Sequence, residues 1–244
     1  MTQKIEAIIL KSKDIKEVDR IYTVFSREKG KSQIVARGVR KPMARLAGGL
    51  EPLTYSEIFV VPGRWMDKAT GVIIVDQFKK IKASLELIVQ VKTIFQAVDL
   101  LCGEKDPNEK LFFLLKDFLF LLEETGWKSS SVAEIGMSAV LLKILVLTGM
   151  QPSFYYCPGC GKKIEAKEFY WLHMPLGIEC GTCESSQFGR RMKINADVVK
   201  ILRFLMTQPL EISKRVRVDS GTLFQVRRVC AMMYEEVTGK RVLH

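Results

Sequence analysis

The sequence predicts an α+β protein: an N-terminal five-stranded OB-fold barrel, then an α-helical domain with a four-cysteine zinc module inserted in it. Three observations carry that expectation. The first 80 residues hold β-branched and aromatic runs separated by turn residues. From Ile81 the apolar period changes to steps of three and four. Two Cys-x-x-Cys pairs then interrupt the helical pattern. The expected boundaries are residues 1–80 for the barrel, 81–152 with 190–244 for the helical domain, and 153–189 for the inserted module.

Lys4–Lys11, Ile21–Ser26, Ser32–Arg37, Leu53–Val61 and Ala69–Asp76 have strand composition. Arg27-Glu28-Lys29-Gly30 makes the turn between the second and third, and Pro62-Gly63 the turn between the fourth and fifth. Five short strands with one longer connection, Gly38–Glu51, fit a small closed barrel, for which the OB-fold leads and an SH3-like barrel follows. Of the strand aromatics, Phe25 and Phe59 are assigned to the core. Tyr22 and Tyr55 are further candidates for base stacking, and Trp65, beside the Pro62-Gly63 turn, is the expected exposed ring.

In the first helix Leu85, Ile88, Val91, Phe95, Val98 and Cys102 mark one apolar face. A second helix follows Asp106-Pro107-Asn108, runs through Leu111–Leu122 and ends near Gly126. A third spans Val132–Leu147 and stops at Gly149. These three are expected to pack together. Beyond the cysteines, Asn195 or Asp197 caps a helix carrying Val198, Ile201, Leu202 and Leu205. A last helix from Asp219 aligns Leu223, Val226, Cys230, Met233 and Val237.

The cysteine pattern is Cys157-Pro-Gly-Cys160, 19 residues, then Cys180-Gly-Thr-Cys183. Two intervening residues let a tight turn aim both sulfurs at one point, and two such knuckles complete a tetrahedron around Zn²⁺. A thioredoxin-type redox pair would explain the first knuckle but not the second. Four thiolates also close the coordination shell, so the ion is expected to be structural. His173 lies between the knuckles, but four better-spaced thiols leave it no vacancy. Cys102 and Cys230 fall on apolar helical faces and read as small core residues.

A net charge of +11 points to a polyanionic partner. The surplus sits at both ends: residues 1–80 carry 16 Lys and Arg against 9 Asp and Glu, and residues 190–244 carry 12 against 5. No signal peptide opens the chain, and the apolar stretch Val132–Thr148 falls short of a bilayer span. A cytoplasmic protein without a membrane partner is expected, with its thiols reduced. In the first basic region Lys29, Lys31, Arg37, Arg40, Lys41 and Arg45 can line one barrel face and follow a phosphate backbone, making residues 1–80 a nucleic-acid-binding domain. Arg190, Arg191, Arg227 and Arg228 form a secondary basic surface.

Certain stretches carry a resemblance. Asp19-Arg20-Ile21 enters the second strand, and Glu28-Lys29-Gly30 and Ala36-Arg37-Gly38 follow. Arg45-Leu46-Ala47-Gly48-Gly49-Leu50-Glu51-Pro52 comes next, and Gly177 stands shortly before Cys180. In these places, and in its order of barrel, helical body and inserted zinc module, the chain resembles the RecO family of bacterial DNA repair and recombination mediators. The resemblance implies an N-terminal OB-fold that binds single- and double-stranded DNA and anneals complementary strands. It also implies partnership with RecR and with single-stranded DNA-binding protein, so that RecA can replace the latter on a gap. Family DNA contacts carry over to Lys29, Lys31, Arg37, Arg40 and Arg45.

Such a mediator needs no catalytic residue, and the sequence contains no G-x-x-x-x-G-K-[ST] loop and no H-E-x-x-H. Two other readings stand beside it: an interaction scaffold whose basic surface is incidental, and a metal-dependent nucleic-acid enzyme. The closed four-thiolate shell argues against the second.

Overall fold

A computed structural model describes residues 1–15, 17–127, 130–165, 169–174, 177–180, 182–183 and 191–241. The N-terminal strands are β1 (Gln3–Asp14), β2 (Arg20–Ser26), β3 (Gly30–Ala36), β4 (Tyr55–Val61) and β5 (Asp67–Asp76). They close into a barrel in the order β1-β2-β3-β5-β4, with β1 hydrogen-bonded along both edges to β2 and β4. A bulge between Ile9 and Lys11 lets β1 serve both partners. The ring closes through a short parallel contact of β3 with β5, at Ile34–Asp67 and Val35–Lys68. This is the expected OB-type barrel.

Strand alternation sends Ile5, Ala7, Ile9, Tyr22, Val24, Ile34, Ile58 and Val60 inward. Leu50, in the 3₁₀ turn Gly48–Leu50, is fully buried among them. The expected assignment of Phe59 to the core does not hold. Ile58 and Val60 point inward, so by the two-residue period Phe59 faces outward and is only half-buried.

The matching stretches earn their places by specific contacts. The Asp19 carboxylate accepts from the Gly38 N–H at 2.8 Å, pinning the end of β3 to the start of β2. Gly30 has φ +62°, and a Cβ there would lie 2.0 Å from the Asp106 carbonyl oxygen, so only glycine fits this turn. Ser56 Oγ donates to the Gly49 carbonyl at 2.8 Å and holds the 3₁₀ turn against β4.

After the barrel come α1 (Lys79–Lys82), α2 (Leu85–Leu101), α3 (Glu109–Thr125) and α4 (Ser130–Leu147). Ser84 Oγ and Asn108 Oδ1 cap α2 and α3 by accepting from the third residue on. The outer side of the barrel is buried against α3, where Tyr55 packs edge-on to Phe112 and Phe120 at 6.3 and 6.2 Å. The three helices expected to form one cluster are divided between two compact units, Met1–Gly126 and Trp127–His244. The first two belong with the barrel and α4 with the later helices. An apolar face specifies burial, not the element that provides it. Leu85, read as part of the α2 face, begins the helix and is exposed; the buried stripe runs through Leu87, Val91, Ile94 and Val98.

The second unit adds β6 (Phe169–His173), β7 (Gly177–Ile178), β8 (Arg191–Asn195), α5 (Ala196–Thr207) and α6 (Ser220–Thr238). The strands form an antiparallel sheet in the order β7-β6-β8, so residues 191–195, assigned to the helical domain ahead of its capped helix, are a strand of the module sheet. β8 runs into α5 with no linking loop, and Asn195 caps the helix by accepting from the Val198 N–H at 2.9 Å. Helix α4 packs against α5 and α6, and Asp219 caps α6. Among the described residues no helix is long and apolar enough to cross a membrane.

Candidate metal centre and nucleic-acid interface

The first knuckle is a hairpin tip. Tyr156 bridges Lys163, the Cys157 N–H donates to the Lys162 carbonyl, and the Gly161 N–H donates to the Cys157 carbonyl, both at 2.8 Å. In the second, the Cys183 N–H donates to the Cys180 carbonyl at 3.2 Å. Between the knuckles the chain is anchored at Gly177. Its φ is +129°, and a Cβ there would lie 2.0 Å from the Ser153 carbonyl oxygen, to which the Ile178 N–H donates at 2.8 Å.

These turns bring the Sγ atoms of Cys157, Cys160, Cys180 and Cys183 within 4.8 Å of one another, with Cys160 and Cys180 at 3.5 Å. Zinc–sulfur bonds of about 2.3 Å at tetrahedral angles require sulfurs about 3.8 Å apart, so the donor set fits a structural Zn²⁺. Backbone N–H of Cys183 and the thiol of Cys160 draw the Cys180 thiol down to about 6. Contact with the thiols of Cys160 and Cys180 pushes Cys183 up to about 12. Four thiolates this close repel, and a divalent cation is the group that lets all four ionise. Bound zinc would supply a cross-link between the knuckles. His173 takes no part: its Nδ1 lies 3.5 Å from Glu179 Oε1. Cys230 is a core thiol, pushed up to about 12 by burial. Cys102, read as core, instead ends α2 as its extended cap and is only half-buried, with burial pushing its thiol up to about 11.

The barrel cations divide into two groups. Lys29 pairs with Asp67 at 2.6 Å. Lys31 donates to the Asp99 carbonyl at 2.6 Å, with its side chain only 13% exposed. Both fasten the turn and β3 to neighbouring elements. Arg37, Arg40, Lys41 and Arg45 are exposed, on or beside the Gly38–Glu51 connection. Arg40 lies 3.4 Å from Asp14, whose carboxyl is held low mainly by its hydrogen bond from Arg20. Among the described residues, Arg37, Lys41 and Arg45 have no carboxylate partner. Tyr22, Phe25 and Tyr55 are buried and offer no stacking face, whereas Trp65 is 79% exposed with the Arg64 guanidinium 5.3 Å from its ring.

The second basic set is dispersed. Arg191 on β8 is bound to buried Glu179 at 2.6 Å. On α6, Arg227 lies 3.4 Å from Glu134 and Arg228 is exposed. Arg190 lies outside the described residues. What the reading of charge runs missed is a pairing of cations with rings on the module sheet: Lys193 with Phe169, and Arg191 with Trp171. The alternation Phe-x-Trp-x-His opposite Arg-x-Lys was the available signal.

Comparison with known proteins bears on the whole chain. A family model described as Recombination protein O N terminal matches residues 1–78, and one described as Recombination protein O C terminal matches residues 94–244. The DNA repair protein RecO of Pelotomaculum thermopropionicum is 32% identical over 226 residues, covering 93% of this chain and 85% of that protein. The DNA repair protein RecO of Desulforamulus reducens is 29% identical over 233 residues, covering 91% and 86%. That of a Roseiflexus species is 30% identical over 218 residues, covering 89% and 74%. With both halves matched and the barrel, helices and cysteine cluster in place, the chain belongs to the RecO family of DNA repair and recombination proteins.

Proposed function

We propose that this chain binds single- and double-stranded DNA, anneals complementary strands and helps load recombinase onto single-stranded DNA coated by its binding protein. One observation carries the reading: exposed Arg37, Arg40, Lys41 and Arg45 follow one another on and beside a single connection of an OB-type barrel. Two strands repel through their phosphates, and a basic surface that holds both lowers that barrier. Pairing is done by the bases, so the role is one of binding without turnover, in keeping with family membership. The partners of this reading are RecR and single-stranded DNA-binding protein directly, and RecA indirectly. Lys29 and Lys31 contribute by holding the barrel turn, and the zinc by holding its module.

The test is the annealing rate of two labelled complementary oligonucleotides at low and moderate salt. The protein should accelerate annealing, with an effect that fades as salt rises. Arg37→Glu with Arg45→Glu should weaken single-strand binding and flatten its log–log salt dependence by about 1.4, two contacts at roughly 0.7 each. Lys31→Gln should lower stability and leave that slope unchanged. No acceleration at any salt, or an unaltered slope in the double variant, overturns the reading.

A further inference from the structure

In β6, Phe169, Trp171 and His173 alternate with buried Tyr170 and Leu172. In β8, Arg191 and Lys193 alternate with Met192 and Ile194, of which Ile194 is buried. The register sets Trp171 opposite Lys193 and His173 opposite Arg191, so all five side chains share the outer face of the sheet. Each cation leans diagonally onto the next ring: Lys193 Nζ is 4.3 Å from the Phe169 centroid and Arg191 Cζ 5.2 Å from that of Trp171.

Two features set this face apart from ordinary packing. Phe169 is 45% exposed although the same strand buries Tyr170 and Leu172 on its other face. The charges are also graded. Arg191 is held by buried Glu179, which fixes its guanidinium beside Trp171. Lys193 is exposed and, among the described residues, has no carboxylate partner. Rings at alternate strand positions lie about 6.7 Å apart. Aromatics presented on the face of a sheet hold two or three unpaired bases in RNA-recognition domains.

We infer that the outer face of the β6–β8 sheet is a binding site for unpaired bases of single-stranded DNA, with Phe169 and Trp171 stacking bases and Lys193 neutralising a phosphate. The stack is tolerant of sequence, because every base has a π-face, and it excludes duplex, whose bases are already stacked. The inference rests on the proposed reading of the chain as a DNA-binding protein but uses none of the barrel residues.

The experiment uses the zinc-loaded full-length protein with a labelled thymidine oligonucleotide and, separately, a duplex of equal length. Phe169→Ala should weaken oligonucleotide binding about 5- to 150-fold and leave duplex binding unchanged. Lys193→Gln should flatten the single-strand salt dependence by about 0.7. In a Trp65→Phe background, where Trp127 is buried, the oligonucleotide should quench Trp171 emission and the duplex should not. Zinc content and circular dichroism matching the parent establish that Phe169→Ala is folded, and the quenching measurement leaves the sheet itself intact. Wild-type affinity in Phe169→Ala together with unquenched Trp171 overturns the inference, as does equal weakening toward duplex. If Arg37→Glu with Arg45→Glu abolishes annealing while Trp171 is still quenched, the sheet site stands on its own. If Phe169→Ala fails alone, the barrel reading survives.

Discussion

In the barrel, a strand of 12 residues is paired along both edges, and its inward side chains meet a continuous apolar interior. In the zinc module, three strands of five, two and five residues among the described residues meet a pair of cysteine turns. Closing a sheet on itself satisfies its backbone and buries one face together, so the barrel needs no cross-link. A sheet as small as that of the module buries too little to offset its ordering entropy, and a metal bond takes up the difference. The two regions of one chain thus answer the same entropic cost with different chemistry, and they should fail under different insults.

Removing the metal should separate them most sharply. Chelation, or Cys157→Ser, should strip hydrogen-exchange protection from residues 153–183 and leave it intact across β1 to β5. Chelation should also expose four thiols to a labelling reagent at neutral pH. Cys102 and Cys230 should stay slow, because burial raises both and holds them as protonated thiols well above that pH. Uniform loss of protection along the chain would show that the barrel, too, depends on the ion.

Glycine substitutions offer a matched pair. Gly30→Ala and Gly177→Ala each drive a methyl group within 2.0 Å of a carbonyl oxygen at positive φ. Gly30→Ala should lower the urea midpoint by an amount equivalent to about 2–3 kcal/mol. Gly177→Ala should instead show as faster zinc loss to a chelator, with the barrel transition unmoved. The smallest effect is the removal of a helix cap on either side. Asn108→Ala in the barrel unit and Asn195→Ala in the other should each cost about 1 kcal/mol, read from denaturation of the corresponding unit.

Much of this architecture was legible because its signals are local. A cap is a residue and its third neighbour, as at Asn195 and Asp219, and a knuckle is two cysteines with a tight turn between them. The cluster of Cys157, Cys160, Cys180 and Cys183 could be read from spacing because tetrahedral thiolate chemistry leaves little choice. Long-range pairing was not legible. Lys31 looks like a surface cation until Asp99, 68 residues away, takes its proton donors. Phe59 looks like core until strand parity places Ile58 and Val60 inside. The grouping of α2 and α3 with the barrel depends on partners such as Tyr55 that no helical periodicity reveals.

The seam between β8 and α5 carries a consequence for how the second unit tolerates change. Asn195 ends the strand and caps the helix, so no slack separates the two elements. One residue added there would turn α5 by about 100° about its axis and swing Val198, Val199, Leu202 and Leu205 toward water. Strand and helix are therefore geared together: a rotation of the module sheet reaches α5 undamped, and chain length at this point admits no play.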